Sequence, residues 1–274
     1  MSVNPSDKLF PNLQFLKMGG SLITYKDRPR TARPEALERL AREIAAAKDH
    51  EPALRLVLGH GAGSFGHVTA KKHGTRQGVH SPEGWRGFAE VWSDASALNR
   101  LVMDALHRAG LPVIALPPSA SVIAQDGQVA AWNLDPLRSA LQAGLLPVVF
   151  GDVVFDTQRG GTILSTEDLF AYLAGQLRPR RLLLAGIEPG VWADYPACTR
   201  LIPHIDPQSL PAVAPALGGS AATDVTGGMA SKVQEMLALV QKNPGMEVFI
   251  FSGETPGLVL EALSGAQVGT VISI

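Results

Sequence analysis

Leu56-Val57-Leu58-Gly59-His60-Gly61-Ala62-Gly63-Ser64-Phe65-Gly66-His67 is the stretch that decides the fold. A short apolar run passes into closely spaced glycines flanked by histidines, and residues 68–73 continue with helix-compatible side chains. The pattern reads as strand, glycine loop, helix N-terminus. Lacking Cβ atoms, such a loop lets backbone amides approach an anion, and the helix dipole adds positive potential where the first turn begins. Phosphate is its natural guest. Gly61 to Gly66 also satisfies G-x-G-x-x-G, a weak pattern alone, which marks a dinucleotide site in one context and a tight turn in another.

Upstream, Leu13-Gln14-Phe15-Leu16-Lys17-Met18 reads as a first strand after a loose arm, ending in a second glycine loop, Gly19-Gly20-Ser21. Lys17 sits at the strand end, where an ammonium can point at phosphates gathered by the glycine amides, and Lys26 follows nine residues on. Residues 35–49 read as a helix with Leu37, Leu40, Ile44 and Ala45 on one face. Residues 13–67 are then strand, helix, strand, the crossover unit of a parallel sheet, and both glycine loops emerge at one carboxyl edge. Two such loops facing one crevice suit two phosphates, or a donor and an acceptor.

Downstream, residues 74–84 are loop-like and residues 85–109 form a long helix with Phe88, Val91, Trp92, Leu98, Leu101 and Leu106 near helical spacing. Part of this helix is expected to wall an apolar acceptor pocket. Residues 111–116 and 145–150 read as strands, 128–132 as a hairpin strand and 134–143 as a helix. Asp152, just past a buried strand end, is either a group that orients the lysines of a phosphate site or a turn cap. Residues 153–163 look like a hairpin, and Ser165 or Thr166 caps a helix running to Leu177 with acids in its first turn. Further strands are expected at 182–185, 248–251 and 268–272, with a Pro- and Gly-rich excursion over 193–219 and a helix over 258–263. Thr223-Asp224-Val225-Thr226-Gly227-Gly228-Met229 leads into a helix carrying Lys232, a third place able to hold phosphate.

Bulk properties narrow the classes. A chain of 274 residues, 46% hydrophobic and 18% charged with net charge −1, can bury a substantial core and shows no basic stripe beyond Arg178-Pro179-Arg180-Arg181, so nucleic acid is not expected as a partner. Cys198 is the one cysteine, which fits a reducing compartment. A start without a basic and apolar leader pattern, and no apolar run of about 18 residues, point to a cytoplasmic protein without a membrane span. There is no G-x-x-x-x-G-K-[ST], H-E-x-x-H or G-x-S-x-G. Lysines and glycine loops suit phosphoryl transfer, where catalysis is mostly positioning and charge neutralisation. His67 can donate to an oxygen of an acceptor phosphate, whereas His60 reads as a buried structural histidine. An acceptor that is already a phosphate brings its own nucleophilic oxygen, so no strong general base is required.

Lys17-Met18-Gly19-Gly20-Ser21, His60-Gly61-Ala62-Gly63-Ser64-Phe65-Gly66-His67, Phe150-Gly151-Asp152 and Asp224-Val225-Thr226-Gly227-Gly228-Met229 with Lys232 together resemble the amino acid kinase superfamily, over nearly the whole chain. Within it, the loop ending in His67 is similar to that of the isopentenyl phosphate kinases. The resemblance implies an α/β fold, a three-layer αβα sandwich around a mainly parallel open sheet, in one domain over 1–274. Its acceptor-binding part would cover about 13–180 and its nucleotide-binding part about 181–274. It implies ATP with Mg²⁺, no resident metal-ligand set, a phosphorylated small-molecule acceptor and a homodimer. It further implies that Lys17 and Lys26 stabilise the transferred group, that His67 holds the acceptor phosphate and that Asp152 orients the lysines. Gly19, Gly20, Ser21, Gly63, Gly228 and Lys232 would hold the nucleotide, and Ala62 and Gly151 would touch the acceptor through backbone atoms. The chain departs from the family pattern at Ile187-Glu188-Pro189-Gly190-Val191-Trp192 and at Ser165-Thr166-Glu167-Asp168. Alternatives are a kinase for another phosphate or phosphonate such as fosfomycin, a dinucleotide-dependent oxidoreductase with Glu83 as its ribose acid, and a nucleotide-binding regulator.

Overall fold

Alternating apolar residues make Leu13–Met18 a strand, β1, whose two faces serve two different cores. Leu13 and Phe15 enter one apolar cluster, and Leu16 and Met18 enter the other, as a period of two requires. The computed structural model describes residues 10–213 and 228–274. β1 pairs in parallel with β2 (Arg55–His60), so that Met18 lies opposite His60. Between them run the short helix α1 (Gly20–Ile23) and the long α2 (Pro34–His50), which buries Leu37, Leu40 and Ile44. After β2 come α3 (Gly63–His73) and α4 (Pro82–Arg108), then β3 (Val113–Ala115), β4 (Val122–Gln125), β5 (Gln128–Trp132) and α5 (Asp135–Gln142). β6 (Leu146–Phe150), β7 (Asp152–Asp156), β8 (Gly160–Leu164) and α6 (Thr166–Leu177) follow, then β9 (Arg181–Gly186), β10 (Val191–Trp192), β11 (Leu201–Ile202), β12 (His204–Ile205) and α7 (Leu210–Val213). α8 (Gly228–Lys242), β13 (Glu247–Ser252), α9 (Leu258–Leu263) and β14 (Thr270–Ile272) complete the described chain.

Among the described residues the main sheet has the order β12-β14-β13-β9-β1-β2-β6-β3 and is parallel except where β13 meets β14. One core holds Leu13, Phe15, Val57 and Leu182 against α5, α6 and α8, and the other holds Leu16, Leu58, Leu183 and Phe249 against α2, α4 and α9. This is a three-layer αβα sandwich. The chain leaves β1 toward β2 on one side and returns much later as β9 on the other, which puts a crevice at the carboxyl end of β1.

Several details differ from the sequence reading. The hairpin strand β5 pairs with an unforeseen β4, and both join β7 and β8 in a separate sheet ordered β5-β4-β7-β8. β4 is only Val-Ile-Ala-Gln, too short for alternation to stand out. Trp92 and Leu101 are exposed, because the buried stripe of α4 runs through Phe88, Val91, Ala95, Leu98, Val102 and Leu106 and leaves both off that face. Asp152 opens β7 rather than following a strand into a turn. α3 starts at Gly63, so His67 lies one turn inside the helix. The motif residues Thr223–Gly227 lie outside the described residues, as does the arm up to residue 9.

The two glycine loops touch backbone to backbone. A Cβ on Gly20 would stand 2.4 Å from the Gly63 nitrogen, and one on Gly63, where φ is +51°, would stand 2.2 Å from Thr24 Oγ1 and 2.7 Å from the Gly20 oxygen. The neighbouring links fit this approach: the Ser64 amide donates to Thr24 Oγ1 at 3.0 Å and the Gly61 amide to the Met18 carbonyl at 3.1 Å. At Gly20 a methyl group cannot be absorbed by rotating a side chain, because what it meets is main chain. Gly20→Ala should therefore lower unfolding stability by about 1–3 kcal/mol, read as a fall in the denaturation midpoint; an unchanged midpoint would show that the loops can separate freely.

Candidate active site

The carboxyl ends of β1, β2, β6 and β9 are tied together largely through main-chain atoms. Gly19 donates to the Ala185 carbonyl at 2.8 Å, and the His60 carbonyl accepts from the Gly151 amide at 3.2 Å and from Thr166 Oγ1 at 2.6 Å. Above this frame lies a cleft of about 620 Å³ lined by Lys17, Gly19, Gly20, Ser21, Lys26, Ala62, His67, Gly151, Asp152, Gly228 and Lys232. Residues far apart in sequence, read as site residues, thus share one crevice. Gly63 is the exception: it is buried behind the crevice, packed against Thr24 and Gly20.

Lys17, on β1, makes an ion pair with Glu167, in the first turn of α6. Burial pushes the Glu167 carboxyl up, but the charges of Lys17 and Lys232 and the hydrogen bond from Lys17 outweigh it and hold it below the usual carboxylate range. From the sequence Glu167 is a first-turn acid in a run that departs from the family pattern, and its contact with Lys17 adds a role that neither reading contains. Ser165 caps α6, its hydroxyl accepting from the Asp168 amide at 3.1 Å while Asp168 accepts from the Ser165 amide at 2.7 Å. That ring fixes the first turn and hence the direction of Glu167.

Lys26 is carried by the excursion between Thr24 and Ala32, which meet in an antiparallel bridge. The excursion is fastened to α3: Arg30 donates to the Ser64 carbonyl at 3.0 Å and Thr31 to Ser64 Oγ at 3.3 Å. Arg30 also reaches the buried Asp94 of α4 at 3.0 Å, and Thr69 donates to the same carboxylate at 2.6 Å. The glycine loop, its helix and the Lys26 excursion are therefore fastened to one another.

His67 is exposed on α3 and lines the cleft. Beside it the wall turns apolar, through Ala70, Val91, Ala95 and Ile163, so α4 does face the pocket. His60 is buried and stacked on Phe150, ring centroids 5.2 Å apart. Burial depresses its pKa against the opposing contacts with the Gly61 carbonyl and Asn99. The neutral ring donates through one nitrogen: with Nδ1–H on the Gly61 oxygen at 3.2 Å, Nε2 accepts from Asn99, 3.1 Å away, when that amide presents its NH₂. His60 is a structural histidine that holds the start of the loop.

Asp152 lies on the cleft floor, 1% exposed. Its carboxylate accepts from the Ser119 amide at 3.1 Å and the Val153 amide at 2.9 Å, and the carboxylate in contact with Lys17 is Glu167. Desolvation raises the Asp152 pKa to about 6, with the Ser119 bonds opposing. At its far end the cleft reaches Ile187, Glu188, Trp192, Tyr195 and Cys198, which motif reading did not assign. There the Trp192 indole donates to Glu188 at 3.0 Å, and Asp194 braces the following turn by accepting from the Thr199 and Arg200 amides at 3.1 Å.

A parallel sheet with phosphate-suited loops and lysines at its switch point describes a nucleotide-dependent phosphotransferase. Residues 12–252 match the amino acid kinase family, and the chain belongs to it. The chain is 35% identical to the isopentenyl phosphate kinase of Methanothermobacter thermautotrophicus, covering 94% of this chain and 98% of that protein. It is 37% identical to the isopentenyl phosphate kinase of Haloferax volcanii, over 91% of this chain and 98% of the relative. Among solved structures, an isopentenyl phosphate kinase superposes with TM-score 0.80 at 33% identity, over 95% of this chain and 100% of the other. The product complex of the Thermoplasma acidophilum isopentenyl phosphate kinase superposes with TM-score 0.75 at 26% identity, over 95% and 99%.

The raised pKa of Asp152 gives a pH prediction. The folded state holds this proton up to about pH 6 and the unfolded chain loses it near pH 4, so Asp152 costs stability progressively as pH rises between those values. Asp152→Asn should gain on the wild type by about 2–3 kcal/mol between pH 4 and pH 7, measured by denaturant unfolding at each pH. A pH-independent difference between the two proteins would contradict the assignment.

Proposed function

We propose that the protein transfers the γ-phosphoryl group of ATP to isopentenyl phosphate, giving isopentenyl diphosphate and ADP for isoprenoid biosynthesis. The observation that carries this reading is the juxtaposition, in one cleft, of the Lys17–Glu167 pair beneath the glycine loops with His67 and an apolar wall beside it. The names of the relatives at 35% and 37% identity support the same acceptor.

In this mechanism Gly19, Gly20, Ser21, Gly228 and Lys232 hold the nucleotide phosphates, and His67 donates to the acceptor phosphate while the Ala62 and Gly151 backbone bounds it. Gly63 serves the nucleotide indirectly, by letting the two loops meet. An anionic oxygen of the acceptor attacks the γ-phosphorus, a new P–O bond forms, and the bond to the bridging oxygen breaks with its electron pair leaving on ADP. The nucleophile is already deprotonated at neutral pH, so the chain supplies no strong base. Lys17 and Lys26 neutralise charge on the moving group, which is where most of the rate enhancement of phosphoryl transfer arises. Glu167 aims Lys17 by direct contact, and Asp152 contributes its charge to the arrangement of the lysines. The tail of the acceptor lies along Ala70, Val91, Ala95 and Ile163.

Mg²⁺ belongs to the same reading. Mg²⁺ is carried mainly by substrate phosphates and water, and the carboxylate oxygens that line the cleft, those of Asp152 and Glu167 among them, suit it. Bound there, it would neutralise charge on the β and γ oxygens. The reading extends to an acceptor part over about 13–180, a nucleotide part over about 181–274, and a homodimer in the cytoplasm; the family resemblance supports the division and the dimer, and the single cysteine supports the compartment.

His67→Ala should raise KM for isopentenyl phosphate by about 10–100-fold, the worth of a charge-assisted hydrogen bond, with KM for ATP little changed. Lys17→Ala should lower kcat by about 100-fold or more. Steady-state kinetics with isopentenyl phosphate, dimethylallyl phosphate and fosfomycin in parallel test the acceptor; efficient turnover of fosfomycin alone would replace this reading with a phosphonate kinase.

A further inference from the structure

Arg76 stands in the loop after α3 and lines the main cleft; it also lines a small annex shared with Ser165, Glu167, Asp168, Gly228, Lys232 and Glu235. Its main chain is held: the Arg76 carbonyl accepts from Thr162 Oγ1 at 2.9 Å and from Arg159 at 3.3 Å, and the preceding Thr75 is buried. Its guanidinium is held weakly. The ion pair with Asp168 is a single 3.3 Å contact, the arginine side chain is 45% exposed, and the accepting oxygen already takes the Ser165 amide at 2.7 Å and the Ser165 hydroxyl at 2.8 Å. Asp168 keeps its capping role without Arg76, so exchanging this contact for a stronger acceptor costs little.

We infer that Arg76 is a nucleotide-phosphate ligand, an arm anchored at its backbone that leaves Asp168 to bind the terminal phosphate of the triphosphate. The inference rests on the kinase reading above. Three features select this ligand. The annex joins Arg76 to Lys232 and Gly228, the nucleotide-side groups; it also contains Glu167, the carboxylate that aligns Lys17 on the transferred group; and a planar guanidinium pairs with two phosphate oxygens at once, which its single contact with Asp168 does not use. Charge at the γ position draws the arm inward, and loss of that phosphate returns it to Asp168. Arg76 thereby discriminates triphosphate from diphosphate and favours release of ADP.

The test is calorimetric binding of a non-hydrolysable ATP analogue and of ADP, each with Mg²⁺ and without acceptor. Arg76→Ala should weaken the triphosphate analogue by about tenfold or more and leave ADP within about twofold, and Arg76→Lys should recover part of the loss. Asp168→Asn keeps the capping oxygen but frees the arm, so it should bind the triphosphate analogue as tightly as wild type or tighter. Equal losses for both nucleotides, no loss in Arg76→Ala, or a loss in Asp168→Asn matching that in Arg76→Ala would each overturn the inference. Wild-type protein that binds neither nucleotide overturns the kinase reading as well, whereas intact binding insensitive to Arg76 overturns this inference alone.

Discussion

The close approach of main chain at Gly20, Gly61 and Gly63 is the constraint on which the site depends. The ends of β1 and β2 are neighbours in a parallel sheet, so the segments leaving them compete for the same space. Only residues without side chains allow both to stay, and a Cβ on Gly61 would stand 2.9 Å from the Gly20 nitrogen. Because the loops touch, Lys17 before one and His67 after the other are held at fixed ends of a single cleft. Ser64 extends the arrangement by stapling the excursion that carries Lys26. Backbone packing, more than side-chain contact, sets the distance between the two loops.

Charge is balanced around that frame. Lys17 and Lys232 both stabilise the ionised form of Glu167 in a largely desolvated place, and the pair with Lys17 compensates two buried charges that would each be costly alone. Lys17, at least, is held in place by that pair. Asp152 is different in kind: its charge is opposed by burial and served mainly by backbone amides, which makes it a group the fold tolerates at a cost.

What the sequence made legible follows from locality. Alternation in Leu13–Met18 and the Ser165 cap are written in consecutive residues, and the structure places them as read, whereas α3 begins at Gly63, inside the stretch read as a loop. Glu167 and Arg76 were not legible as site residues. An acid in a first helical turn has an ordinary explanation in the helix dipole, and its contact with Lys17 spans 150 positions of chain. Arg76 is a surface-type residue in a loop whose importance depends on which carboxylate happens to lie across the cleft. Gly63 was read as a ligand-facing glycine, because sequence cannot say whether an absent side chain makes room for a ligand or for another loop. Trp92 followed the apolar count of α4 but not its angle, and lies outside the buried stripe.

The central position of β1 also governs how the chain can be made. Its first neighbour, β2, follows soon after it, but its second, β9, spans Arg181–Gly186, so one edge of β1 has no partner until most of the chain has been synthesised. An open apolar strand edge is a template for pairing with other chains, and contacts this distant in sequence form late. During synthesis the half of the cleft that carries His67 can assemble on the ribosome before the half that completes Lys17's surroundings, and the unpaired edge of β1 is the face a chaperone would have to guard.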